Sequence, residues 1–186
     1  MTTTASRPAS RQPPRPAVVV MGAAGAGKSR IGSALAAALD VRFIEGDAFH
    51  PPANVAMMAA GIPLTDATRH GWLLALAAEL RAARDASHGV VLACSALKRH
   101  YRDLLRGGDP TIRFVFLHGD ASLLRDRLGR RHDHFMPATL IDDQLDTLEP
   151  PTPDEQPIVC DAANAPDVIL TQIMTALGAA GEGNDP

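Results

Sequence analysis

Gly22-Ala23-Ala24-Gly25-Ala26-Gly27-Lys28-Ser29 fits the pattern G-x-x-x-x-G-K-[ST]. Small residues at these positions let consecutive backbone N–H groups turn inward around phosphate oxygens. A helix opening at Lys28 adds the partial positive charge of its N-terminus. In such a loop Lys28 reaches the β- and γ-phosphates, and Ser29 ligates Mg²⁺. The chemistry implied is nucleotide phosphate binding.

A second string, Glu45-Gly46-Asp47-Ala48-Phe49-His50-Pro51-Pro52, ends a short apolar run. A carboxylate at Asp47 can take the proton of an attacking hydroxyl or hold a metal-bound water. General-base help of that kind is worth ~10²–10⁴ in rate. The plainer reading of Asp47 is a turn or helix cap. His50 either bonds a substrate oxygen or caps the turn before the two prolines.

These residues need elements to hold them. Runs rich in β-branched residues predict strands at Ala17–Met21, Val41–Ile44, Gly89–Cys94, Ile112–Leu117 and Pro157–Cys160. Apart from Arg42 and Arg113 they are apolar on successive residues, as strands buried on both faces are. Helical patterns lie between them at Lys28–Leu39, Asn54–Ala60, Ala67–Arg84, Lys98–Leu105, Ala121–Arg130, Pro137–Leu148 and Pro166–Leu177. Asp66 reads as the cap of the long third helix. This alternation predicts an α/β fold, with a five-stranded parallel sheet between two layers of helices. Ligands of such sheets bind beyond the carboxyl ends of the strands. Both chemical strings fall there.

The 186 residues make one domain. Residues 1–16 hold Arg7, Arg11 and Arg15, four prolines and no acid, and read as a disordered extension. A transit peptide is the alternative, opposed by those prolines. Without these three bases, 15 remain against 21 acids, so the body carries −6 where the whole chain carries −3. A general nucleic-acid surface is excluded on that balance. The apolar run Ala17–Gly27 falls short of the ~20 residues of a membrane span. No secretory signal opens the chain. Cys94 and Cys160 each end an apolar run and read as buried thiols. A cytoplasmic protein is expected, with a domain over 17–177 and a flexible end at 178–186.

The string Gly46-Asp47-Ala48-Phe49-His50-Pro51, followed by Asn54, Met58, Gly61, Pro63-Leu64, Asp66, Arg69 and Trp72-Leu73, resembles the gluconokinase family. So do Cys94-Ser95-Ala96-Leu97-Lys98 with Tyr101-Arg102, and His134-Phe135-Met136-Pro137. The likeness runs in order over about residues 17–165. The chain departs from it at Met57, Ala67-Thr68, His70-Gly71 and His132-Asp133. The resemblance implies a P-loop kinase fold with a small lid at about 125–140, like shikimate and nucleoside-monophosphate kinases. It implies transfer of the ATP γ-phosphoryl group to the 6-hydroxyl of D-gluconate. A homodimer is compatible with it, though no sequence stripe marks an interface. The alternatives are another small-molecule kinase of shikimate type, or a non-catalytic nucleotide-binding regulator.

A sugar acid needs cations and short polar groups around it. Arg69 can grip a carboxylate with two parallel bonds. Ser95 and Lys98 follow the third strand, and Arg102 lies on the same helical face as Lys98. Trp72 is the only Trp and reads as core, or else as a wall for the sugar. Arg125, Arg127, Arg130 and Arg131 crowd one stretch with only Asp126 to offset them. Arg127 and Arg131, four apart, share a face that can meet phosphates, with Arg131 stabilising the transferring group. His134 is a lid residue against the substrate. His132 and His134 alone supply too few ligands for structural zinc. Asp161–Pro166 is the expected adenine loop.

Overall fold

β1 (Ala17–Met21) is the middle strand of the sheet, and its register explains the two cores. Val18 and Val20 face one side with Ile31, Leu35, Ile169 and Ile173. Val19 and Met21 face the other with Trp72, Leu76, Tyr101 and Leu105. Side chains alternate across a strand, so a continuous Val-Val-Val-Met run feeds both cores. The computed structural model describes residues 15–130 and 140–182. Most of the stretch read as a disordered extension lies outside them, as do Arg131, His132, Asp133 and His134.

From β1 the chain passes through α1 (Lys28–Leu39), β2 (Arg42–Glu45), a 3-10 turn (Gly46–Phe49), α2 (Pro52–Ala59) and α3 (Asp66–Asp85). Then come β3 (Val90–Ala93), α4 (Arg99–Arg106), β4 (Arg113–His118), α5 (Ala121–Gly129), α6 (Leu140–Thr147), β5 (Ile158–Asp161) and α7 (Pro166–Glu182). Strand order is β2-β3-β1-β4-β5, all pairs parallel. The sheet with helices on both faces is the three-layer P-loop kinase architecture the sequence predicts.

Four details differ from the sequence reading. Pro16 already belongs to the fold, since its carbonyl accepts from Val90 N–H at 3.0 Å. The outer strands β2 and β5 are not buried on both faces. Arg42 is exposed, and β5 alternates buried Ile158 and Cys160 with exposed Val159 and Asp161, because an edge strand has cover on fewer sides. The cap of α3 is Thr65, whose Oγ1 accepts from Thr68 N–H at 3.3 Å. Asp66 instead becomes the first helical residue, and its carboxylate turns outward to Lys98. Finally, α7 continues past Leu177 to Glu182.

Candidate active site

The phosphate loop leaves β1 and enters α1 with Gly27 as its last loop residue. Gly22 has φ 139°, and a Cβ there would lie 2.4 Å from the Leu117 carbonyl oxygen. Gly25 has φ 81°, and a Cβ would lie 2.5 Å from the Leu124 carbonyl oxygen. Only glycine takes those conformations with backbone so near. The loop is thus pressed against β4 and α5 from behind. Gly22 N–H donates to the Ser95 carbonyl at 3.3 Å, which ties the loop to the end of β3. Lys28 Nζ donates to the Ala23 carbonyl at 3.0 Å, folded back over its own loop.

Ala24, Gly25, Gly27, Lys28 and Ser29 line one cleft beyond the carboxyl ends of the strands. Asp47, His50, Arg69 and Ser95 line the same cleft. Four separate elements supply them: the loop after β1, the turn after β2, the start of α3 and the loop after β3. Arg69 is buried, and its Nε donates to the Leu64 carbonyl at 3.1 Å. That bond fixes the plane of the guanidinium in the cleft wall. Asp47 sits in the 3-10 turn, one residue beyond Gly46, whose carbonyl Trp72 Nε1–H holds at 2.8 Å. Trp72 is buried, so it is not a wall for the sugar. It stacks on His50 instead, with ring centroids 4.1 Å apart and planes 18° apart. Burial of His50 lowers its pKa below the ordinary 6.5; Asp47 opposes this and Arg69 adds to it.

Lys98 and Arg102 each pair with a carboxylate of the chain. Lys98 Nζ pairs with Asp66 at 2.7 Å, and Tyr101 Oη also donates to Asp66. The ammonium of Lys98 is 5.7 Å from the centre of the Tyr101 ring, and it is not among the described groups lining the cleft. Arg102 is buried in an ion pair with Glu155, with Nε–Oε2 at 2.5 Å and Nη2–Oε1 at 2.8 Å. It clamps α4 to the segment before β5 rather than meeting a ligand.

The arginine cluster is better compensated than its sequence suggests. Arg125 pairs with Asp142 of α6 at 2.5 Å, and Arg130 with Asp126 at 3.0 Å. Arg127 lies in the last turn of α5, outside the described cleft lining. Sequence reasoning passed over α6. Asp143 and Gln144 line the cleft, and Gln144 Oε1 accepts from the phosphate-loop N–H of Ala24 at 2.8 Å. Nothing in their spacing marks them, since an acidic helix with one Gln reads as a solvated face. Met58, Pro63 and Leu64 add an apolar wall. The two thiols are buried as expected, with burial pushing Cys94 up to about 12 and Cys160 up to about 11.

A model of the shikimate kinase family matches residues 24–177. A gluconokinase of Gluconobacter oxydans is 50% identical over 157 residues, covering 84% of this chain and 88% of that one. The chain belongs to the gluconokinase family. The thermosensitive gluconokinase of Escherichia coli is 43% identical over 148 residues, covering 76% of this chain and 75% of that one. The crystal structure of a gluconokinase from Sinorhizobium meliloti superposes with a TM-score of 0.81 at 43% identity, covering 92% of this chain and 96% of that one. As a gluconokinase-family kinase, the chain uses ATP and acts on a small molecule. Among the described residues, no helix is long and apolar enough to cross a membrane.

Proposed function

We propose that this chain transfers the γ-phosphoryl group of ATP to the 6-hydroxyl of D-gluconate, giving 6-phospho-D-gluconate and ADP, in the cytoplasm. The observation that carries the reading is the shared cleft. A phosphate loop ending in Lys28 and Ser29 faces Asp47, His50, Arg69 and Ser95 across it. The loop amides, with Gly22, Ala23, Ala24, Gly25, Ala26 and Gly27, cradle the phosphates, and Lys28 swings from Ala23 onto them. Ser29 supplies a hydroxyl oxygen for Mg²⁺, a cation held mainly by oxygens, including those of phosphates. That ion, when bound, neutralises charge on the phosphates.

Asp47 orients the 6-hydroxyl and takes its proton. Arg69 offers the fixed cation for the sugar-acid carboxylate. Ser95 and His50 bond its hydroxyls. Arg127 and Arg131 are assigned to the nucleotide phosphates, with Arg131 offsetting phosphoryl charge, and His134 to the substrate; Arg131 and His134 lie outside the described residues. Lys98 reaches the substrate only by leaving Asp66.

The test is ADP release by the full chain with ATP and Mg²⁺, measured with D-gluconate, with shikimate and with no acceptor. Release that depends on gluconate is expected. Release with shikimate but not gluconate, or none with either, refutes the assignment.

A further inference from the structure

Asn54, on α2, is 5% exposed and lies four residues beyond His50. Its Nδ2 donates to the Thr68 carbonyl at 2.9 Å. A carbonyl oxygen only accepts, so the nitrogen of the amide must be the atom facing Thr68. The same nitrogen lies 3.5 Å from His50 Nδ1. An amide nitrogen carries two hydrogens and accepts nothing. With one hydrogen on Thr68, the other is available to the imidazole, and this contact, long for a hydrogen bond, is satisfied with Nδ1 as the acceptor. A neutral imidazole has a single N–H. It therefore sits on Nε2.

The ring is held in plane as well as in tautomer. Trp72 stacks on one face, and Trp72 is itself pinned by the Gly46 carbonyl. The groups facing His50 are Asn54 from α2, Trp72 and Arg69 from α3, and Asp47 from the 3-10 turn. Burial and Arg69 favour the neutral ring, and Asp47 opposes them without restoring the ordinary 6.5. A second proton would go on Nδ1 and set two donors against each other at Asn54.

We infer that Asn54 locks His50 as the neutral Nε2–H tautomer, so that His50 meets the acceptor substrate as a hydrogen-bond donor to one of its oxygens rather than as a base or a cation. The donor role rests on the kinase reading above. It leaves proton removal to Asp47 and gives two neighbouring titratable groups opposite tasks. Asn54 is a positioning residue that acts through His50.

The full chain, labelled with ¹⁵N-histidine, tests the tautomer directly. Ring proton–nitrogen correlations are recorded from about pH 5 to about pH 8, where histidine changes charge, and the His50 signals are assigned by their loss in His50→Gln. The expected spectrum at neutral pH has hydrogen on Nε2 and an unprotonated Nδ1, with a midpoint below 6.5. Hydrogen on Nδ1, or an imidazolium at neutral pH, overturns the proposal. In Asn54→Leu the Nδ1–H form should appear; an unchanged spectrum in that variant removes Asn54 from the argument.

Kinetics test the donor role. His50→Gln keeps a neutral N–H donor, whereas His50→Leu keeps only bulk. His50→Leu should lose about tenfold or more in kcat/KM for gluconate, the scale of one buried unmatched hydrogen bond. His50→Gln should recover most of it, with KM for ATP unmoved in both. Equal losses in the two variants overturn the donor role. The spectra need no turnover, so a wild-type chain inactive on gluconate refutes the functional reading while the tautomer is still decided by its own signals.

Discussion

Trp72 Nε1–H donates to the Gly46 carbonyl at 2.8 Å, and Gly46 immediately precedes Asp47. The one Trp of the chain thus couples α3 to the turn that carries Asp47. The same indole stacks on His50 at the other end of that turn. One buried side chain thus fixes both ends of the turn that lines the cleft.

Trp72→Phe keeps an aromatic ring under His50 and deletes the donor to Gly46. Loss of a buried hydrogen bond costs about 1–3 kcal/mol, read as a lower urea midpoint. Turnover should fall while KM for ATP stays close to wild type, because the phosphate loop is held by Ser95, Leu117 and Leu124 instead. A folded variant with unchanged kcat would show that the Gly46 contact does not position Asp47.

Asp47→Asn separates chemistry from nucleotide binding. The amide can still accept a hydrogen bond but cannot take the proton of the hydroxyl. Turnover should drop by ~10²–10⁴, followed as ADP release, while binding of a fluorescent ATP analogue stays nearly intact. Near-normal turnover refutes the base assignment.

Gln144→Glu keeps the acceptor for Ala24 N–H. It also brings a negative charge against the loop that must hold a triphosphate. Repulsion across a partly desolvated cleft should weaken ATP binding by about tenfold or more, equivalent to about 1.4 kcal/mol or more. Titration calorimetry with ATP reads it, with Gln144→Ala as the uncharged comparison. Equal affinities for the two variants would show that the charge at this position is not felt by the nucleotide.

Glu155 and Arg102 are each 1% exposed in their side chains. Removing the carboxylate in Glu155→Ala strands a buried guanidinium and should cost about 3–5 kcal/mol in unfolding free energy. The pH dependence has a definite sign. Burial pushes the Glu155 carboxyl up, yet the hydrogen bonds from Arg102 and the Thr152 N–H outweigh it, so the folded value lies below the ordinary 4.5. A depressed carboxyl contributes stability that is complete above its unfolded value and disappears as pH falls through the folded one. Wild-type unfolding free energy should therefore decline below about pH 4.5, and that part of the decline should vanish in Glu155→Ala. Superimposable pH slopes would show that the pair is not the source.

The phosphate loop was legible because its requirements are local. Consecutive small residues between a strand and a helix are enough to turn backbone N–H groups inward, and eight adjacent letters specify that. The parallel sheet was legible because burial on both faces leaves uninterrupted apolar runs such as Val18-Val19-Val20-Met21. Asp47 could be placed for the same reason, since it follows directly where a strand ends. Edge exposure at β2 and β5 was not legible, because it depends on which strands end up outermost.

Side-chain partnership lay beyond the string of residues. Lys98 and Arg102 read as ligand groups, and only folding brings Asp66 to the first and Glu155 to the second, 32 and 53 positions away. Arg125 read as uncompensated until α6 set Asp142 beside it. Gln144 carried no signal, because a carboxamide matters only through the Ala24 N–H, 120 positions distant, that it meets. Trp72 offered two readings, and its burial against Gly46 and His50 decided between them. The sequence alone determined the sheet, the phosphate loop and the carboxylate beside it, since backbone conformation and burial follow from neighbouring residues. Tertiary structure decided which polar groups are spent on one another and which face the cleft, because hydrogen bonds and ion pairs act over a few ångströms and are blind to distance along the chain.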